Sequence, residues 1–547
     1  MMATENPRIE LKGMLGKALR RSAEERLKKV DYARLVEPFR LRNEDDGAWR
    51  CEFWGKIVRS AILTNYYLRD PELGMMIDRT VKDLMSTQSS DGCVSTYPEG
   101  KQPMGWDIWG RKYALLGLLR YYDLVSPDPR VKSCCAGIVD HLITQVGPGK
   151  LDITGCGRHF GLAASSILGA VVGVYRITRE KRFLDYARWI VSRGCASNGS
   201  IIDAAIAGTP PVRIGNGKAY EMTSCYQGLS ELWELDPQPE YRRAVECYYK
   251  LVRDREIFVT GGAGLGDRQG EYWSEGATRQ PCPGPLEGVG ETCVTVTWLR
   301  YCSRLLRTDS QIPGIADEVE KTSYNALLGA MAPDGTHWSH VNPTPLTGSG
   351  FRSWSEDQIL LCYKTPFDGN DCCRAQGPEG LALAPWFALR RTSDTETLNF
   401  YEPMSTPRFE VEGNYPADDT AEVRIGSGGE FALKLRIPEF TKEVKLNGAA
   451  LAFTPGSYLE LRRDWNAHDR VTLEFDFSIR EAPVNCACGA KFFAYKRGPL
   501  VLAQDSRGTE VPGARVKLRH NGLDLVDYAS AGNGFTPENT LTVLFKK

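Results

Sequence analysis

Residues 62–81 read ILTNYYLRDPELGMMIDRTV: an apolar run closing on an aromatic, a short polar turn with Asp-Pro, then an amphipathic run. The same plan recurs at 115–135 (LLGLLRYYDLVSPDPRVKSCC), 171–191 (VVGVYRITREKRFLDYARWIV) and 229–249 (LSELWELDPQPEYRRAVECYY). The aromatics that close the first runs, Tyr67, Tyr122, Tyr175 and Trp233, stand 55, 53 and 58 residues apart. Self-similarity at a steady period marks repeated supersecondary units, and this period suits one helical hairpin plus its return connection. A fifth copy, 296–310 with 316–331, follows the Gly-rich stretch 261–290.

Between Glu24 and Arg391 the pattern accommodates about twelve helices of roughly 8–20 residues. Twelve helices taken as six hairpins predict an (α/α)6 toroid. The first helix of each hairpin would line the centre, and the second would carry charge on its outer face. The open mouth is then the expected pocket. Near residue 393 the pattern becomes period-two alternation, as in 430–448 and 457–479, which predicts antiparallel strands. The expected fold is mainly α with a β domain: an (α/α)6 barrel catalytic domain over 1–392, then an antiparallel β-sandwich over 393–547. The stretch 503–540, rich in Gly, Asp, Asn and Ser, gives weaker strand signals.

Composition narrows the function. In 547 residues, Lys plus Arg is 68 against 69 for Asp plus Glu, so no global positive field points to nucleic acid or an anionic membrane. No apolar stretch reaches the roughly 18 residues of a membrane span. The charged N-terminus lacks an apolar h-region with a cleavage site, so a cytoplasmic location is expected. The sixteen Cys then read as reduced thiols, some buried and some metal-ligating, and not as a disulfide framework. The expected partner is a small oligosaccharide or glycoside substrate, with a homodimer as a possible assembly.

Three local features carry chemistry. Cys372 and Cys373 are adjacent in FDGNDCCRAQGPEG, a turn-rich stretch before the last barrel helix; adjacent Cys also occur without function, as Cys134 and Cys135 in an amphipathic helix illustrate. Glu291 and Cys293 sit at the entrance to the apolar helix GETCVTVTWLRYC. An i,i+2 pair does not share a helix face, but in the irregular first turn both side chains can reach a common point. Three thiolates and one carboxylate make a four-coordinate zinc site, and both the metal and the helix N-terminus favour thiolate. Glu275, in the insertion that leads into Glu291, is the third feature.

With these residues the chain resembles the β-L-arabinofuranosidase family, glycoside hydrolase family 127, from about Trp54 to the end of the sandwich. Glu291, Thr292 and Cys293 match its Glu-Thr-Cys, and Cys372 and Cys373 match its Cys pair. VEKTSYNALLGAM, which contains Glu320, VNP at 341–343, LKLRIPEF and SYLELRRDW agree as well. The resemblance implies an (α/α)6 barrel with β-sandwich material and a zinc ion held by Glu291, Cys293, Cys372 and Cys373. It further implies a retaining glycosidase in which Cys372 is the nucleophile and Glu275, sixteen residues before Glu291, is the acid/base.

The pocket departs from that pattern. Family members place His on the inner helices, whereas this chain has six His in all. Arg111 or Lys112, Ser166 and Lys218 stand where His is usual, and His340 replaces the Tyr before VNP. Arg111, Lys218, His340 and Glu320 are therefore the candidate substrate-binding residues, with His159 near the mouth as a structural histidine. Cations suit a carboxylate-bearing sugar better than a neutral pentofuranose, which shifts the expected substrate toward an acidic or branched plant-type sugar.

The competing readings are a sugar epimerase, which the scarcity of His disfavours, and a zinc prenyltransferase, which leaves the sandwich unexplained. A non-catalytic carbohydrate-binding protein with structural zinc is the alternative outside enzymes, since closed four-ligand sites are commonly structural.

Overall fold

The computed structural model describes residues 9–45, 47–264, 270–281, 289–308, 312–343, 348–349, 372–533 and 539–547. Of the stretches quoted above, 265–269, 282–288, 309–310, 367–371 and 534–538 lie outside the described residues.

Two turns of the sequence repeat start a helix on an Asp-Pro cap. Asp70 and Asp128 precede Pro71 and Pro129, and their carboxylates accept the backbone N–H of Leu73 and Arg130 at the open helix ends. Proline at the first helical position loses no hydrogen bond, and Asp there satisfies an orphan donor. The first helices of the hairpins at 62–81 and 171–191 stop at left-handed Arg69 and Arg179.

Six inner helices result: Phe53–Leu68, Asp107–Leu124, Leu168–Thr178, Ala219–Trp233, Thr292–Arg307 and Cys372–Ala382. Each packs on the next, and the sixth returns to the first, so they form a ring. The first is buried on every face from Phe53 to Thr64, as expected of a helix enclosed on all sides. The outer helices Pro71–Met85, Pro129–Gln145, Lys181–Ser192, Pro239–Arg255 and Ile315–Thr322 bury one face each. The toroid and the sheet-rich C-terminal part agree with the expected fold. Among the described residues, no helix is long and apolar enough to cross a membrane.

The β part contains three main sheets. A seven-stranded sheet (404–475, with 10–11 at one edge) and a four-stranded sheet (389–465) share one apolar core. A third sheet, built from Arg480–Asn485 onward, has its own core around Val501, Val526 and Val543. Glu10–Leu11 pairs with Met404–Ser405 and fastens the N-terminus to the sandwich. Asn325, in a π-helical turn, donates to Pro499 O and accepts from Val501 N, tying the third sheet to the ring.

Glu320 belongs to this interface. It is buried against Arg436 at 2.7 Å and accepts the Tyr415 hydroxyl at 2.7 Å, because its outer helix faces the sandwich; as a substrate-binding residue it is corrected. Twelve described Cys are free, and Cys486 and Cys488 form a disulfide across a tight turn.

Candidate active site

The N-terminal ends of the inner helices converge on one end of the ring. Strand Val289–Glu291 pairs antiparallel with Val341–Pro343, and His340 O accepts the N–H of Thr292 at 3.0 Å. Thr292 Oγ1 donates to Ser339 O at 2.6 Å. This pairing gives the VNP motif its work: it fixes Glu291 and Cys293 at the mouth beside His340. Cys372 and Cys373 open the sixth inner helix, where the helix N-terminus favours negative charge.

Glu291, Cys293, Cys372 and Cys373 each place one ligand atom within 4.8 Å of the others. The sulfurs of Cys372 and Cys373 are 3.8 Å apart and those of Cys373 and Cys293 3.5 Å. Glu291 Oε1 lies 3.9 and 3.6 Å from Cys372 and Cys373. A tetrahedral ion about 2.3 Å from each sulfur requires sulfur–sulfur edges of about 3.8 Å, so the spacing fits. Glu291 Oε2 is buried without a hydrogen-bond partner among the described residues. Such an orphan is costly unless a cation or proton completes it. Donor type, spacing and orphan together suit a thiophilic cation.

Only Cys372 of the four keeps solvent exposure. S–H bonds from Cys293 and Cys373, helped by the charge of His340, hold its thiol well below the ordinary range. Burial pushes Cys293, Cys373 and Glu291 upward, so the negative charge concentrates on Cys372.

A second shell of charge surrounds the cluster. Lys56 Nζ is 2.9 Å from Glu52 Oε1 and 3.8 Å from Cys293 Sγ. Glu52 Oε2 accepts the Trp109 indole N–H at 2.6 Å. Lys112 lies 3.8 Å above the Trp109 ring and donates to Ser166 Oγ at 3.0 Å. Burial, aided by the Arg300 charge, lowers its pKa well below the usual lysine range. His159 packs between Trp106 and Tyr272 and accepts Asn216 at 3.1 Å.

The segment that follows the Gly-rich stretch delivers a further carboxylate. Lys218 bridges to Tyr272 as an antiparallel pair, and Trp273 N donates to Gly217 O at 2.8 Å. Gly270, with φ +79°, comes so close to Glu291 that a Cβ would meet its backbone N at 2.9 Å, so only glycine fits without displacement. Glu271 is thereby held within 4.8 Å of Glu291 and His340 and ion-paired with Lys218.

The structure brings together Glu291, Cys293, Cys372, Cys373, His340 and Lys218. It does not bring in Glu275. That side chain is 49% exposed and faces Arg255 at 3.6 Å, at a left-handed position heading the short turn Gly276–Arg279. Nor does it bring in Arg111, whose fully buried guanidinium pairs with Asp107 at 2.7 Å and contacts His141 and Gln102. One residue along a helix is a rotation of about 100°, so Lys112 faces the pocket and Arg111 faces the next outer helix. Glu271 and the Glu52–Lys56 pair escaped the sequence reading, which named Lys112 as the alternative to Arg111. For Glu271, the available signal was its place in Gly-Glu-Tyr-Trp, next to the aromatics of the mouth.

The comparisons with known proteins agree with this geometry. The family described as beta-L-arabinofuranosidase, GH127 catalytic domain, matches residues 14–385, and the GH127 middle domain matches 404–477. A curated non-reducing end beta-L-arabinofuranosidase of Bifidobacterium longum is 23% identical over 502 residues, 82% of this chain and 74% of the relative. The crystal structure of a GH127 beta-L-arabinofuranosidase from Geobacillus stearothermophilus superposes with a TM-score of 0.77 at 19% identity, covering 98% of this chain and 99% of that one. A second GH127 beta-arabinofuranosidase structure gives 0.76 at 16% identity, covering 99% and 98%. With its catalytic-domain match spanning most of the chain and the Glu-Cys-Cys-Cys cluster at the mouth of the ring, this protein belongs to the GH127 β-L-arabinofuranosidase family of glycoside hydrolases.

Proposed function

We propose that the protein releases a terminal β-L-arabinofuranosyl-type sugar with retention of configuration, using Cys372 as nucleophile and Glu271 as acid/base. The observation that carries this reading is the partly exposed, ionisable Cys372 in an otherwise buried cluster, next to a carboxyl-bearing segment. A structural metal site would have no use for the one accessible thiol. Zinc bound by Glu291, Cys293, Cys372 and Cys373 would keep the thiols ionised at neutral pH.

In the first step Cys372 Sγ attacks the anomeric carbon as the glycosidic C–O bond breaks, and Glu271 gives its proton to the leaving oxygen. In the second, the Glu271 carboxylate takes a proton from water. The water oxygen bonds to the anomeric carbon, and Cys372 leaves as thiolate. Lys218 orients the Glu271 carboxyl, while Trp106, Trp109 and Tyr272 supply apolar walls.

A neutral sugar fits this mouth better than the acidic one expected from the cations. Arg111 is neutralised by Asp107, Lys218 by Glu271 and Lys56 by Glu52; burial disfavours the charged form of Lys112. Glu221 adds another buried carboxylate, with Oε2 lacking a partner among the described residues.

The test is hydrolysis of an aryl β-L-arabinofuranoside and of an acidic-sugar aryl glycoside by wild type, Glu271→Gln and Glu275→Gln. Wild type should cleave only the neutral substrate. Glu271→Gln should lose about 10²–10⁴-fold in kcat/KM, and Glu275→Gln less than about twofold. The reverse ranking would return the acid/base role to Glu275.

A further inference from the structure

At the opposite end of the ring, where the inner helices approach their C-termini, the axis opens into a second cavity of about 100 Å³. It is far too small for an oligosaccharide but has room for several waters or one small ion. Every inner helix contributes to its wall.

Six arginines line it: Arg59, Arg120, Arg176, Arg300, Arg304 and Arg307. Three carboxylates face them, Asp123, Glu231 and Glu379, and Glu234 pairs with Arg176 at 3.1 Å and with Arg304. Six cations thus meet four anions. Glu379 Oε2 serves Arg59 at 2.5 Å and Arg300 at 3.4 Å together. Arg300 otherwise relies on neutral acceptors, Gln227 Oε1 at 2.5 Å and Ser224 Oγ at 3.3 Å.

Two guanidinium groups remain incomplete. Arg59 is 2% exposed and Arg304 8%, yet the Nε of each has no hydrogen-bond partner among the described residues. Buried donors are ordinarily satisfied. Burial, reinforced by neighbouring arginine charges, also holds Arg59, Arg120, Arg176 and Arg307 below the usual guanidinium range.

Helix C-termini, each worth about half a negative charge, supply part of the missing charge. That effect fades within the last turn, where Arg304 and Arg307 lie. Arg59 and Arg300 stand mid-helix and are beyond it.

We propose that this cavity is a binding site for a small inorganic oxyanion of the phosphate or sulfate type, held by the guanidinium groups of Arg304 and Arg59. Planar guanidinium groups match tetrahedral oxyanions through paired N–H donors. The anion would join six helices at the closed end of the ring.

The test is the thermal unfolding midpoint of the dialysed full chain titrated with sodium phosphate, with ionic strength held constant by sodium gluconate. The expected result is a rise that obeys one-site linkage, flat below the dissociation constant and logarithmic in phosphate above it. Arg304→Met should weaken the apparent affinity at least tenfold, and Glu231→Gln, which removes a competing carboxylate, should tighten it severalfold. Cys372→Ser, altered at the other end, should bind phosphate as wild type does. No such logarithmic rise in wild type would overturn the proposal and leave the helix ends as the compensation. So would a rise with the same apparent affinity in Glu231→Gln, the variant that decides if Arg304→Met does not fold.

Discussion

The two ends of the ring are built from the same six helices and are chemical opposites. Among the described residues, the mouth leaves the acceptors Glu291 Oε2 and Glu221 Oε2 without a hydrogen-bond partner, and the closed end leaves the donors Arg59 Nε and Arg304 Nε. The mouth pairs Lys56 and Lys218 with carboxylates and still has thiol and carboxylate capacity to spare. The closed end uses up its carboxylates and still has guanidinium groups to spare. One end is therefore suited to a cation and to chemistry at sulfur, and the other to an anion. Reading only the pocket with the reactive residues would miss that a toroid has two ends.

The largest expected effect separates the ends by function. Cys372→Ser should lower turnover about 10⁴-fold or more, the scale on which a lost nucleophile acts, whereas Arg304→Met should stay within a few-fold of wild type. Steady-state kinetics on an aryl β-L-arabinofuranoside checks both. Equal losses would mean the two ends are one functional unit.

The next effect is on stability and belongs to the closed end. Glu379→Gln leaves the buried Arg59 and Arg300 without their shared carboxylate, and breaking a buried pair from one side costs about 3–5 kcal/mol. Urea unfolding should show this loss, and saturating phosphate should restore part of it. A variant as stable as wild type would mean that the arginines already have another counter-charge.

The smallest effect sharpens the mouth. Glu256 Oε2 accepts the N–H of Ser274 at 2.8 Å and Gly276 at 3.2 Å, steadying the segment that carries Glu271. Burial raises its pKa from 4.5 to about 7. A raised carboxyl means that the folded state holds more protons than the unfolded state between these values. Stability is then fully present below pH 4.5 and is lost as pH rises through 7, by at most about 3 kcal/mol. Glu256→Gln should flatten that slope in urea unfolding at pH 5, 6, 7 and 8. An unchanged slope would remove Glu256 as its source.

Much of this was legible in the sequence. The Asp-Pro turns at Asp70 and Asp128 announced the hairpins because capping is a local interaction. The grouping of Glu291, Cys293, Cys372 and Cys373 was legible because each pair lies at the start of a helix. What escaped depends on distance through space. Glu271 is brought in by the Lys218–Tyr272 bridge and the close approach of Gly270, while residue counting across the loop before Glu291 pointed to Glu275. Lys112 and Arg111 differ by one step of helix rotation, which spacing without a ring axis cannot resolve. The two-residue strand Glu10–Leu11 has no local signature, since its partner lies almost 400 residues away. The arginines at the closed end come from four helices, each of which reads separately as an ordinary charged helix.

The central claim is that sulfur, not a carboxylate, forms the bond to the sugar. Its most direct test is peptide mapping by mass spectrometry after rapid quenching of Glu271→Gln with an activated aryl β-L-arabinofuranoside, with metal content measured on the same sample. The account predicts a pentosyl adduct on Cys372 and one thiophilic metal ion per chain. An adduct on Glu275 or Glu291, or turnover with inversion and no adduct, would contradict it.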